Sequence, residues 1–361
     1  MAMDLTRRQV LKLGGIAALG CALGGSATLS GCAAPVPAGT AVSSGELSYE
    51  LVQEAARVLD GVVIPTPLVP STVKTGVSNL FFKLENLQRT NSFKLRGSYF
   101  KIGSLGDEER SRGIATCSAG NHAQGVAYAA RDLGIQATIF IPSIAPQEKV
   151  DRTRAYGVDV RVVEGMFEDA KAAAEAFVEE SGAVYVPPYD DYAVMAGQGT
   201  IACEILAERD DVDAIVVPVG GGGLISGIAC AAKAVKPSIK VYGVESEGAP
   251  SMRASLDAGE AVSVQTKESL ADGIDVARPG DKTFPVVREL VDDVLVVSEG
   301  QIADAVRELA SQQKLVAEGA GAVSVAAVMA GLVPVGADSN VVCVVSGGNM
   351  DDQVLADLLE G

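Results

Sequence analysis

Ser92-Phe93-Lys94-Leu95-Arg96-Gly97 sets a lysine between two apolar side chains. Two later turns complete the pattern. Gly220-Gly221-Gly222-Gly223-Leu224 follows the apolar run Ile215-Val216-Val217-Pro218-Val219, and Ser346-Gly347-Gly348-Asn349 follows another from Val341 to Val345. An apolar setting lowers the pKa of an ammonium and favours the free, nucleophilic amine. Glycines between a strand and a helix let the backbone approach a phosphate, whose charge the helix N-terminus favours. A serine at a strand's carboxyl end stands where open α/β sheets bind ligands. Such strand-to-turn units point to an α/β fold.

The flanking sequence extends this pattern. Leu51, Val52, Ala55, Ala56 and Leu59 have helical spacing over residues 49–59. Strands are expected over 80–85, 113–118, 137–141, 158–162, 214–219, 241–245 and 341–345. Between them, helices are expected over 123–132, 167–180 and 224–233, and around Lys149, Val150, Thr153 and Ala155. Strands alternating with helices imply parallel sheets covered on both faces. Residues 46–361 show no solenoid-period repeat and no long low-complexity break. Two α/β domains are expected, a small one over 113–190 and a large one from 46–112 and 191–361, with the site between them.

The chain has 361 residues, 48% of them hydrophobic, which is ample for a buried core. A formal charge of −17 argues against a nucleic-acid partner, whose phosphates demand basic surface. The six cysteines have no metal-ligand spacing, and Cys203, Cys230 and Cys343 sit in apolar runs as small core residues would. With His122 the single histidine, neither a zinc site nor a histidine-based triad is expected, and no metal is assigned.

The first residues read as a leader. Thr6-Arg7-Arg8-Gln9-Val10-Leu11-Lys12 has the twin-arginine pattern, and residues 13–31 are uncharged and rich in glycine and alanine. Leu29-Ser30-Gly31-Cys32 resembles a bacterial lipobox, which makes Cys32 the expected lipidated residue and 1–32 the signal. Residues 33–45 read as a flexible tether. The expectation is export and a lipid anchor on the extracytoplasmic side of the membrane. The alternative is an uncleaved membrane anchor, for which the glycine-rich stretch is barely long and apolar enough.

A further run, Cys117-Ser118-Ala119-Gly120-Asn121-His122-Ala123-Gln124-Gly125, lies between an expected strand and helix. N–H groups at that helix N-terminus can hold a carboxylate, so Ser118, Ala119, Gly120, Asn121 and His122 are expected to bind substrate. His122 itself reads better as a satisfied histidine at a helix start, because Lys94 can serve as the base.

Together these parts read as a pyridoxal-phosphate site, with an amine for the Schiff base, a turn for the phosphate and a hydroxyl for the pyridine nitrogen. Ser92 to Gly97, Ser118 to His122, Ala196-Gly197-Gln198-Gly199-Thr200, the tetraglycine turn, Ala271-Asp272-Gly273 and Ser346 to Asn349 occur in the order seen in threonine/serine dehydratases. The chain resembles that family, fold type II pyridoxal-phosphate enzymes of tryptophan synthase β-like architecture, over about residues 46–355. The resemblance implies that Lys94 is the Schiff-base lysine and catalytic base and that Phe93 packs the cofactor ring. It implies that Asn121 contacts the ring hydroxyl, that Gly220, Gly221, Gly222, Gly223 and Leu224 form the phosphate cup, and that Ser346 meets the pyridine nitrogen. Glu318 resembles an acid near the substrate end. The implied reaction is dehydration of L-threonine to 2-oxobutyrate and ammonia, or of L-serine to pyruvate, by a homo-oligomer.

Several positions depart from relatives. The chain ends about a dozen residues after Asn349, where biosynthetic threonine dehydratases continue into a regulatory domain, so a catabolic type is expected. Racemases of this pattern place a serine where Ala119 stands, and Tyr189 replaces a cofactor-contacting asparagine. Ser251 stands where cation-binding relatives have a second acid besides Glu245. A serine racemase, a 3-hydroxyaspartate dehydratase and an exported solute-binding lipoprotein are the alternatives.

Overall fold

The computed structural model describes residues 45–360. Arg7, Arg8, Cys32 and the tether up to residue 44 lie outside the described residues. The elements that build the site begin with α1 (Tyr49–Leu59), β1 (Leu68–Pro70), β2 (Asn79–Leu84) and α2 (Lys94–Gly103). Then come β3 (Ile114–Cys117), α3 (Asn121–Leu133), β4 (Ala137–Pro142), α4 (Gln147–Arg154), β5 (Asp159–Val163), α5 (Phe167–Ser181) and β6 (Val184–Tyr185). After α6 (Tyr192–Glu208) come β7 (Ala214–Pro218), α7 (Gly223–Val235), β8 (Lys240–Ser246), β9 (Asp293–Val297), α8 (Gly319–Met329) and β10 (Asn340–Val345).

The strands form two sheets, six-stranded in the order β1-β2-β10-β7-β8-β9 and four-stranded in the order β5-β4-β3-β6. Every pairing is parallel except β1 with β2. Strand alternation divides the core into layers. In the larger sheet Ile215, Val217, Val342 and Val344 face α1, α6 and α7, while Ala214, Val216, Val341, Cys343 and Val345 face α8. In the smaller one Ile139 and Ile141 pack with α2 and α3, and Phe140 faces α5.

Periodicity in the sequence assigns neither α2 nor α6, and the structure shows why. Leu95 to Phe100 and Ala193 to Ala202 are buried without interruption, so neither helix has a polar face to generate a moment. The run Ala196-Gly197-Gln198-Gly199-Thr200 is a packing surface. A Cβ on Gly197 would stand 2.6 Å from both the Arg96 carbonyl and Gly97 Cα, and one on Gly199 would stand 2.7 Å from the Gly227 carbonyl. The backbones of α2, α6 and α7 therefore approach one another where only glycine fits. The cysteines need a correction. Cys343 is buried, but Cys203 and Cys230 are only partly so. Cys203 packs against the core from its edge.

The tightest of these crossings can be tested. A Cβ on Gly227 would come within 1.9 Å of the Met195 carbonyl, a backbone atom that cannot swing aside. Gly227→Ala should destabilise the protein by about 1–3 kcal/mol, the usual cost of overpacking, and lower its thermal midpoint. A variant that melts with wild type would show that α6 and α7 are free to separate.

Candidate active site

A cavity of about 640 Å³ opens between the two sheets at the carboxyl ends of β3, β7 and β10. Ligands bind at this place in open α/β sheets because strand-to-helix turns converge there. Phe93, Lys94, Ser118 through His122, Gly220 through Leu224, Glu318 and Ser346 all line it, so segments more than two hundred residues apart meet in one pocket.

Lys94 is the first residue of α2. Its Nζ donates to the Pro188 carbonyl at 2.9 Å and lies 5.2 Å from the centre of the Phe93 ring. Burial pushes the amine down to about 8, against the opposing pull of the Glu318 carboxylate. The approach to α2 is stitched to the end of β10 by a bridge between Ser92 and Gly347 and by the Phe93 N–H donating to the Ser346 carbonyl at 3.1 Å. This places the Ser346 hydroxyl in the same cavity as Lys94.

Two residues beyond Lys94, the fully buried Arg96 anchors the helix. Its Nε and Nη2 donate to the two oxygens of Glu85 at 2.8 Å each. Nη1 reaches Glu204 at 2.6 Å and Thr200 at 3.1 Å, and Nη2 reaches the other Glu204 oxygen at 3.0 Å. Lys83 completes the cluster with Nζ at 2.5 Å from Glu204 and 2.6 Å from the Thr66 carbonyl. Two cations and two carboxylates cancel, which is the condition under which buried charge is tolerated. The sequence reading gives Arg96 no role, because nothing local reveals that Glu85 and Glu204 converge on it.

Asn121 is held at both ends of its amide. Its Oδ1 accepts from Asn349 at 2.7 Å, and its Nδ2 donates to Glu318 Oε1 at 2.6 Å. One amide hydrogen is thus committed to Glu318, and the other remains to meet a ligand oxygen. Burial, with the charge of Asp272, raises the Glu318 carboxyl to about 7. His122 departs from the expectation of a satisfied histidine. Its Nε2 lies 2.9 Å from the Val186 carbonyl, but Nδ1 is buried with no partner among the described residues. Burial and the nearby Lys94 push the imidazole down to about 3, so it is neutral at ordinary pH.

The tetraglycine turn has the form of an anion cradle. Gly222 has a φ of +96°, which favours glycine, and a Cβ on Gly221 would stand 2.4 Å from the Tyr189 ring. The Gly221 carbonyl accepts from Thr283 Oγ1 at 2.6 Å and from the Gly280 N–H at 3.3 Å. Asp190 in turn accepts from the N–H groups of Asp281, Lys282 and Thr283, which fixes that support. The N–H groups of Gly220 to Leu224 have no backbone acceptor among the described residues and stand at the start of α7. A bound phosphate supplies the acceptors they lack. The amine, the cradle and the Ser346 hydroxyl together fit pyridoxal phosphate.

The structure gives three further residues a place that the sequence does not. Tyr189 is the wall of the cradle, Pro188 the acceptor for Lys94, and Lys149 of α4 pairs with Asp272 at 2.8 Å where both line the cavity. The carboxylate of Glu245 is engaged by the backbone N–H groups of Met252 and Arg253 at 2.8 and 2.9 Å.

Comparison with known proteins agrees with this geometry. Residues 59–347 match the family described as pyridoxal-phosphate dependent enzyme. The chain is 50% identical over 307 residues to an L-threonine ammonia-lyase of Thermotoga maritima, covering 84% of this chain and 76% of that protein. It is 46% identical over 273 residues to the catabolic L-threonine dehydratase of Escherichia coli K12, covering 75% and 83%. Among solved structures, maize serine racemase superposes with a TM-score of 0.82 at 37% identity, covering 87% of this chain and 97% of that one.

The lowered Lys94 pKa has a direct readout. Only the free amine attacks an aldehyde, so uptake of pyridoxal phosphate by the cofactor-free protein should accelerate with rising pH through a midpoint near 8. Imine absorbance in stopped flow measures it, and a midpoint above about 10, that of an ordinary lysine, would contradict the burial argument.

Proposed function

The chain belongs to the pyridoxal-phosphate-dependent enzyme family, and from that premise we infer that it is an L-threonine ammonia-lyase of the catabolic kind. It converts L-threonine to 2-oxobutyrate and ammonia. The observation that carries this reading is the convergence of Lys94, the tetraglycine cradle and Ser346 on one cavity.

When bound, pyridoxal phosphate supplies the electron sink that makes the substrate Cα acidic. The chain's own groups do the rest. Gly220 to Leu224 would hold the phosphate through their free N–H groups, Phe93 would pack against the ring, and Ser346 would offer a neutral hydroxyl to it. Ser118 to His122, at the N-terminus of α3, hold the substrate carboxylate against the helix dipole. Lys94 takes the Cα proton and, as an ammonium, has the Pro188 carbonyl as its acceptor. The spare amide hydrogen of Asn121 is free for the ring hydroxyl. Glu318, raised to about 7, holds a proton that can be given up near neutral pH at this end of the cavity. Ala119 lines the same cavity and brings no hydroxyl at the position where racemases of this pattern carry a serine, which supports elimination over racemisation.

The reading extends to the whole chain. Residues 113–190 carry the four-stranded sheet and act as the small domain, with 46–112 and 191–361 as the large one. The leader pattern supports export by the twin-arginine route and lipidation at Cys32.

The chemistry is tested by supplying L-threonine and following 2-oxobutyrate. Borohydride should fix the cofactor on Lys94, and Lys94→Ala should lower turnover by at least about 10²–10⁴-fold. Serine should give pyruvate without exchange of its enantiomers, and Ala119→Ser should raise any trace of racemisation. Label on another lysine, or racemisation as fast as elimination, would overturn the assignment.

Localisation is tested independently of activity. Replacing Arg7 and Arg8 by lysine should retain the protein in the cytoplasm, and Cys32→Ala should abolish lipid labelling. A wild-type protein that fractionates as a soluble cytoplasmic enzyme retaining residues 1–31 would refute export and leave the chemistry standing.

A further inference from the structure

His122 is the chain's single histidine, is 3% exposed, and lines the active-site cavity. Its Nε2 lies 2.9 Å from the Val186 carbonyl, which can only accept. Nε2 therefore carries the hydrogen and Nδ1 carries a bare lone pair. That lone pair is buried and unpartnered among the described residues. Leaving a buried acceptor unmet costs about 1–3 kcal/mol, so such an atom calls for a donor.

The donor can be identified from the backbone that holds His122. Val186-Pro187-Pro188 runs from β6 toward α6, and the two prolines bring no N–H of their own and have fixed φ. Val186 receives the imidazole, and two residues later the Pro188 carbonyl receives the Lys94 ammonium at 2.9 Å. One short segment thus receives both of the cavity's nitrogen bases, on carbonyls two residues apart. The ammonium has three hydrogens and Pro188 takes one, so others remain to be placed. Lys94 is also the charged group whose field acts on the imidazole, and the Glu318 carboxylate, with Asp272 and Lys149 near it, acts in turn on Lys94.

We propose that His122 is a positioning residue for Lys94, its Nδ1 accepting a hydrogen bond from the ammonium that forms when the lysine is released and has taken up a proton. This rests on the reading of Lys94 as the reactive amine. The hydrogen stays on Nζ; no proton passes to the imidazole, which remains neutral. Pro188 and His122 together hold the ammonium inside the cavity, with its third hydrogen directed to the substrate.

A single histidine makes the test clean. The full-length protein, freed of cofactor and of any purification tag, is labelled with ¹⁵N-histidine, giving one pair of imidazole nitrogen resonances. Nδ1 should shift as pH falls through about 8, where Lys94 gains its proton, while the ring itself stays neutral. The shift should vanish in Lys94→Ala. His122→Gln, which keeps a group toward Val186 and loses Nδ1, should lower the pH midpoint of pyridoxal-phosphate uptake. It should also slow exchange of the substrate Cα proton about tenfold, one lost hydrogen bond to a charged group. His122→Asn, which returns an acceptor near Nδ1, should recover part of both. An Nδ1 resonance in wild type that ignores pH between 6 and 10, or that still moves in Lys94→Ala, overturns the proposal; this holds even if the variants fail to fold. Equal losses in the glutamine and asparagine variants also overturn it, in favour of a packing role. Borohydride label on a lysine other than Lys94 overturns the underlying assignment as well, which separates the two failures.

Discussion

The cluster around Arg96 is the constraint on which the site depends. A guanidinium with no exposure is stable in the core only because Glu85, Glu204 and Thr200 take up its hydrogens and Lys83 balances the second carboxylate. These residues come from the end of β2, the turn after it, α2 and α6, so the charge balance holds only if all four pieces are in register. Breaking one partner would strand the others, at a cost of about 3–5 kcal/mol. The planar fork of arginine adds direction to this energy, since a bidentate contact to each carboxylate fixes the rotation of α2 about its axis. Lys94 lies two residues away on the first turn, so its amine inherits its orientation from the cluster.

A second consequence of burial concerns protons. Desolvation disfavours charge of either sign, so it lowers bases and raises acids. Here it brings Lys94 down to about 8 and Glu318 up to about 7, which places an amine and a carboxyl on either side of neutrality in one cavity. For Glu318 the charge of Asp272 adds to burial. The same effect takes His122 out of the titration range altogether and leaves it a neutral acceptor. Proton transfer near physiological pH is most effective between groups tuned in this way.

Much of this was legible in the sequence. The strands over 137–141, 214–219 and 341–345 were plain because strands buried on both faces read as continuous apolar runs. Lys94, the tetraglycine turn and Ser346 were legible because glycine and serine at strand ends are local signals. The rest was not, for two physical reasons. Helices α2 and α6 are buried all round and leave no periodic trace, so the helix carrying Lys94 was unassigned. Arg96 with Glu204, Lys94 with Pro188 and Lys149 with Asp272 are contacts between residues about a hundred positions apart, which no spacing rule reaches. Tyr189 was noted only as a departure; its place as the wall of the phosphate cradle follows from the tertiary path of the chain.

That path also bears on when the site can exist. β10 follows all the other strands in sequence yet pairs between β2 and β7, near the middle of the larger sheet. Its end carries Ser346 and, through Gly347 and Gly348, touches the segment that leads into Lys94. The two halves of the pocket are therefore joined only after the last strand has inserted. Such non-local pairing is slow, because loop closure must be met before the contacts that reward it form. A cofactor held by both the Lys94 amine and the Gly220 to Leu224 cradle would bind after this step and would stabilise the folded state by mass action. An enzyme of this construction is best completed where the cofactor is supplied. The proposed twin-arginine leader, which suits a protein carried already folded, is consistent with that order of events.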